Sequence, residues 1–278
     1  MKNKNKVIIG GVIAVLVILG LFLFFSFDAL SNNYNIRDNS TLRKTTFSLV
    51  SSAENSTINY KKNYGYIEDI GDGRGYTAGI IGFTTGTGDL LDVVHIYTQK
   101  VPNNDLKKYI PALKSVNGTD SHKGLGQKFV LAWKTSANDS KFIQSQNELL
   151  TRMYLNPAVN YAKKDGLSPL GQYMYYDALV VHGPGTKDDH SSFQSIRFNA
   201  MKRAKTPAQG GNEAYYLKQF LKARTTVMKQ EEAHSDLSRL KAQLHFINQH
   251  NFNLTLPLSW KMYGDRYRLT KQDVNELP

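Results

Sequence analysis

Residues 66–89 read YIEDIGDGRGYTAGIIGFTTGTGD, with seven glycines and four acids in 24 residues. So much backbone freedom beside so much negative charge suits three chemistries. Glycines can cradle phosphate, but G-x-x-x-x-G-K-[ST] is absent, and GDGRGYTAGIIG does not lead from a parallel strand into a helix. Asp69-Ile70-Gly71-Asp72-Gly73 resembles a piece of a calcium loop, but it lacks the alternating ligands and the closing glutamate. A carboxylate pair for glycosidic bond cleavage is the third option. One acid protonates the leaving oxygen and a second carboxylate works on the opposite face of the sugar. Glu54 and Asp72 are candidates for that pair, with glycines letting the Asp72 turn approach a bulky polymer. A tight hairpin with solvated charges explains the same residues without chemistry.

The elements around these residues follow from periodicity. Ser40 can cap a helix whose face carries Leu42, Thr46, Leu49, Val50 and Ala53, and Asn55 can end it. Glu54 then sits in the last turn, where a carboxylate opposes the helix dipole, so helix stability alone does not account for it. Residues 76–83 are rich in β-formers and predict a hairpin or small sheet. Asp89 can cap a helix over 90–98. Further helices are predicted over 105–113, 125–135 and 141–154. The next runs from Ser168-Pro169 to about residue 182, followed by helices over 193–202, 213–229 and 236–249. The tail reads as extended and aromatic. There is no internal repeat, so one α-rich domain with a small β element is expected.

Two charges fall on apolar stripes. Leu170, Tyr173, Met174, Ala178 and Val181 share a face with Asp177. Leu217, Phe220, Leu221, Val227 and Met228 share one with Arg224. Neither charge could be buried alone cheaply, so a buried ion pair is expected, either purely structural or in support of a site.

The chain has 278 residues and a formal charge of +12. Such a charge suggests nucleic acid or an anionic surface, but the basic residues are dispersed. Without cysteine there is no disulfide and no Cys-based zinc site. MKNKNK followed by the apolar run from Val7 to Phe27 predicts export, either as a signal peptide cleaved near Ala29-Leu30-Ser31 or as a retained anchor. The expected organisation is residues 1–31 as signal or anchor, 32–39 as spacer, and 40–278 as the functional domain. Loss of residues 1–31 would remove three lysines and Asp28, which takes the charge from +12 to +10.

The stretch LVSSAENSTINYKKNYGYIEDIGDGRGYTAGIIGFTTGTGDLLDVV resembles the bacterial chitosanases of glycoside hydrolase family 46, of the actinomycete type. YIPALKSVNGTDSHKGLG, GQYMYYDALVVHGPG, AKTPAQGGNEAYYLKQFLKAR and WKMYGDRY continue the likeness in order, over about residues 40–268. The resemblance implies an α+β, mostly helical, lysozyme-like fold of two lobes around a cleft. It implies inverting endo-hydrolysis of β-1,4-linked glucosamine in chitosan, by a monomer that needs neither cofactor nor metal. Glu54 matches the general acid, Asp72 the general base, and Thr77 the residue that helps hold the attacking water. Arg74 lies beside the base, Asp89 matches an acid that reads the sugar amine, and Tyr66 and Tyr154 match cleft tyrosines. Asp177, Arg224 and Arg239 match a buried charge network behind the acid; periodicity alone does not select Arg239.

Two features depart from the family pattern. Ser235 stands where an acid is expected after His234, with Glu231 and Asp236 as substitutes, and the 186–192 loop is about two residues longer. Three other readings remain: a non-catalytic polysaccharide-binding protein, a lysozyme-like hydrolase of N-acetylated glycans, and, on charge alone, a nucleic-acid binder.

Overall fold

The structure is a computed structural model that describes residues 34–230 and 236–278. The expected export segment and the departure at Ser235 lie outside the described residues. Helix α1 (Ser40–Glu54) opens the fold. Asn39, not Ser40, caps it: Asn39 Oδ1 accepts from Leu42 N at 3.0 Å. Residues 34–39, read from the sequence as part of a spacer, make contacts of their own. Ile36 is fully buried, and its N–H donates to Gln172 Oε1 at 3.0 Å.

α1 is buried nearly all round, including Thr45, Ser48, Ser51 and Ser52. These small side chains let three neighbours approach closely. Phe47 stacks on Tyr176 at 5.9 Å, Asn63 Nδ2 donates to Ser51 Oγ at 3.1 Å, and Trp260 Nε1 donates to Ser52 Oγ at 3.0 Å. The C-terminal end of α1, and hence Glu54, is fixed from several sides.

A small antiparallel sheet follows, built from β1 (Ile67–Asp69), β2 (Tyr76–Ala78) and β3 (Phe83–Thr84). Thr77 pairs with Glu68 on one side and Thr84 on the other. Gln146 stitches this sheet to the helical body: its Oε1 accepts from Ile80 N at 3.0 Å and its Nε2 donates to Tyr64 O at 2.9 Å. Gly79 at φ +77° makes that approach possible, since a Cβ there would lie 2.5 Å from Gln146 Oε1.

Next come α2 (Asp89–Lys100), a 3₁₀ turn with α3 (Ile110–Val116), α4 (Gln127–Ser136) and α5 (Ser140–Leu150). Gly88, not Asp89, precedes α2, and Asp89 makes no cap. The helix expected to stop at 154 instead passes through a π-helical turn, Thr151–Leu155, into α6 (Asn156–Asp165). Asn156-Pro157 reads as a stop signal, because proline supplies no N–H. The π turn absorbs it, with Asn156 N bonding to Thr151 O.

The helical body is completed by α7 (Pro169–His182), α8 (Phe193–Met201), α9 (Glu213–Met228) and α10 (Ser238–Asn248). The tail is not simply extended: β4 (Leu258–Met262) and β5 (Asp265–Leu269) form a hairpin, and α11 (Lys271–Glu276) follows. The architecture is α+β and mostly helical, with a small sheet lobe beside a larger helical one.

Phe142 of α5 is completely buried against Tyr97 and Trp133, with ring centroids at 5.1 and 4.9 Å. Phe142→Ala is expected to destabilise the protein by about 3–5 kcal/mol in urea unfolding, the usual range for a deleted core aromatic. A loss under about 1 kcal/mol would contradict that packing.

Candidate active site

Glu54 ends α1 with its side chain 42% exposed and one oxygen paired to Arg239 Nη2. Arg239, on α10, is itself buried. Its Nε lies 3.1 Å from Asp177 Oδ1, an ion pair whose geometry falls short of a hydrogen bond. Asp177, on α7, is fully buried and accepts from Arg224 Nη1 at 2.5 Å and from Gln243 Nε2 at 2.8 Å. Arg224, on α9, also donates through Nε to His182 at 3.1 Å. A chain of alternating charge thus runs from the core to the Glu54 carboxylate.

Burial opposes the charges of Asp177, Arg224 and Arg239. At Asp177 burial pushes the pKa up, but Arg239 and Arg224 outweigh it and hold the carboxyl below its ordinary value. At Arg239 burial works against the cation, and Asp177 and Glu54 more than compensate, so its pKa rises. At Arg224 burial dominates and lowers the pKa from that of a free guanidinium, and the group remains a cation at neutral pH.

Glu54 opens on a cleft of about 730 Å³ whose walls include Tyr66, Arg74, Thr77, Asp89 and Tyr154. The sheet lobe supplies Arg74 and Thr77, the start of α2 supplies Asp89, and the π turn supplies Tyr154. Thr77 is buried, and its hydroxyl has no protein partner among the described residues. The Tyr66 hydroxyl donates to Glu68 at 3.1 Å.

Asp72 is placed differently. Gly71 and Gly73 flank it with φ of +72° and +79°, a backbone that other residues rarely adopt. Ile70 and Arg74, on either side of it in the loop, line the cleft, while Asp72 itself is not among the lining residues. Its carboxylate is turned onto Arg74, accepting from Nε at 2.9 Å and from the backbone N–H at 3.1 Å. The Arg74 hydrogen bonds, against a smaller effect of burial, hold Asp72 below its ordinary pKa.

Asp89 Oδ1 accepts from Thr84 N at 2.6 Å and Thr87 Oγ1 at 2.8 Å. Burial nevertheless dominates and raises its pKa. Tyr154 is raised too, by burial and then by the nearby Asp89. Sequence reasoning did not find Gln243, His182 or Thr87. Gln243 shares its helical stripe with Arg239, so no single polar residue breaks an apolar pattern there. Thr87 sits in a loop and had no signal.

A mostly helical body and a small sheet lobe, with a polar cleft between them that carries Glu54 and Asp89, define a glycoside hydrolase of the lysozyme-like kind. The sequence pattern of glycosyl hydrolase family 46 matches residues 48–258, and the chain belongs to that family. It is 60% identical over 222 residues to a chitosanase from Nocardioides sp., covering 80% of this chain and 79% of that one. A Bacillus subtilis chitosanase is 33% identical over 255 residues, covering 88% and 91%. In three dimensions it is similar to a chitosanase co-crystallised with substrate, with TM-score 0.79, 50% identity, and coverage of 84% of this chain and 98% of that one.

Asp177→Asn would leave Arg224 buried without its counter-charge, and a loss of about 3–5 kcal/mol at neutral pH is expected. Because the folded pKa of Asp177 is depressed, its contribution is present above the unfolded value of about 3.9 and is lost as pH falls through the folded one. Urea unfolding across pH should therefore show a shallower acid limb in Asp177→Asn than in wild type; parallel limbs would count against the pairing. Elsewhere in the cleft lining, Thr87→Val removes one hydrogen bond to ionised Asp89. Its carboxyl should titrate at higher pH by carbon-13 NMR, and an unmoved titration would show that Thr87 does not hold the carboxylate.

Proposed function

We propose that this chain hydrolyses internal β-1,4 bonds between glucosamine units of chitosan with inversion, Glu54 acting as general acid and Asp72 as general base. The observation that carries the assignment is the cleft-facing Glu54 held by Arg239, itself anchored on buried Asp177. Glu54 gives its proton to the glycosidic oxygen as the bond to the anomeric carbon breaks. The carboxylate it becomes is then stabilised by Arg239. Asp72 takes a proton from water as the water oxygen attacks the anomeric carbon from the opposite face. Arg74 keeps Asp72 ionised for that step, at some cost in basicity, and must yield its contact as the proton arrives. The unpartnered, buried Thr77 hydroxyl supports a role in holding the attacking water, since a buried polar group calls for a partner.

Substrate choice rests on Asp89. A partly desolvated carboxylate in the cleft favours a cation, so a glucosamine ammonium fits better than an uncharged acetamide. The same feature weighs against a lysozyme-like reading with N-acetylated substrates. Tyr66 and Tyr154 supply the apolar faces and hydroxyls that a sugar chain can lie against. The lysine-rich start and apolar run before residue 28 support export or anchoring outside the cytoplasm, and a cleft built within one chain supports action as a monomer.

Glu54→Gln is expected to lower kcat on highly deacetylated chitosan by at least about a hundredfold, the lower end for removal of a general acid, with KM little changed. Equal activity in both proteins would discard Glu54 as the acid, and an inactive wild type would favour the non-catalytic binding reading. Proton NMR of the first products should show the α-anomer; the β-anomer would refute inversion.

A further inference from the structure

A second cavity, of about 830 Å³, lies between α10 and the β4–β5 hairpin, and its lining shares no residue with the cleft. Lys241, His245, Lys261, Arg266 and Arg268 line it, and all five are exposed. The strand register sets Lys261 directly opposite Arg266 and Ser259 opposite Arg268, so three cations share one face of a two-stranded ribbon. Like charges facing each other across strands destabilise a hairpin. Among the described residues Lys261 and Arg266 pair with no carboxylate, and Arg268 feels Asp273 only through space. The one acid in the lining, Asp236, accepts from Ser238 N at 2.8 Å and faces the charge of Lys241, which leaves the three cations of the ribbon in excess.

Such a groove repels glucosamine, so it is not an extension of the substrate cleft. Its charge calls for an anion, and its linear layout calls for a repeated one: Arg266 and Arg268 are two strand residues apart, about 7 Å. Nucleic acid would also want an open aromatic face on which bases can stack. Of the two aromatic rings that line the groove, Trp260 is only 4% exposed, and Tyr267 is stacked on it at 5.6 Å. We propose that this groove is a second binding surface of the enzyme, for a linear chain of closely spaced phosphates without bases. Its effect would be to hold the hydrolase on phosphate-rich material while the cleft remains free for chitosan.

The test uses the full chain and fluorescently labelled inorganic polyphosphate, with anisotropy read from about 50 to about 200 mM salt. Lys261→Gln/Arg266→Gln should weaken binding at least about tenfold. Removing two phosphate contacts should also make the plot of log affinity against log salt shallower by about 1.4. Chitosan hydrolysis should be unchanged in that variant. The pair Lys61→Gln/Lys62→Gln, elsewhere on the surface and equally exposed, should bind within about twofold of wild type. Equal losses in the two pairs would reduce the effect to net charge and overturn the site. Tighter binding of oligothymidylate than of polyphosphate would overturn the base-free ligand. Capture by phosphatidylglycerol vesicles without polyphosphate binding would replace the polymer with a membrane surface.

Discussion

The Asp177 carboxylate is the point on which four helices agree. It stands on α7 and receives Arg224 from α9 and both Arg239 and Gln243 from α10, while Arg239 reaches on to Glu54 at the end of α1. None of these helices can shift without separating a buried charge from its partner. Hydrophobic packing alone would not impose this constraint, because apolar contacts tolerate small slides whereas an ion pair in a dry interior does not. Such a network is weak evidence for high stability, since desolvation takes back much of what attraction supplies. What it provides is position: the Glu54 carboxylate, the proposed acid, is held by a guanidinium that is itself buried and anchored on Asp177.

The sheet lobe meets the same need by different means. Among the described residues it has no buried ion pair, and its strands are two or three residues long. Backbone geometry and single polar side chains take over. Gln146 pins it to α5, glycines bend the loop around Asp72, and Thr87 and Thr84 hold Asp89. A lobe secured by a few hydrogen bonds can move slightly against a body secured by packing. That asymmetry suits the proposed base, which must release Arg74 during turnover, and the proposed acid, which must keep its place.

The same division explains what was legible in the sequence. Asp177 and Arg224 could be read because a charge in an apolar helical stripe breaks a regular pattern. Arg239 could not, because its stripe also carries Gln243, so a second polar residue hid the first. The π turn at 151–155 was illegible for a local reason: Asn156-Pro157 carries the usual stop signal, and only tertiary packing lets the helix run through it. Asp89 was assigned to a helix cap from its position, yet its side chain turns back to Thr84 and Thr87. Long-range hydrogen bonds override local propensity wherever an acid has a better partner than its own helix. Motif likeness pointed to Glu54, Asp72 and Thr77, but the turning of Asp72 onto Arg74 needed coordinates.

A net charge of +12 on a protein whose proposed substrate is a polycation looks self-defeating until distance is considered. Charges in about 0.1 M salt are screened over about 10 Å. A folded chain of this size has a radius of gyration of about 19 Å. Lysines and arginines more than a screening length away therefore contribute little to the potential in the cleft, where partly desolvated Asp89 is the near charge, Arg74 being committed to Asp72 and Glu54 to Arg239. Low salt should be where the remote cations matter most, since screening lengthens to about 30 Å at 0.01 M. Under that condition the whole-molecule charge opposes a glucosamine polymer, and occupation of the basic groove by an anion would relieve the opposition. Local pairing decides what the cleft attracts, and the surface charge is left free to decide where the enzyme stays.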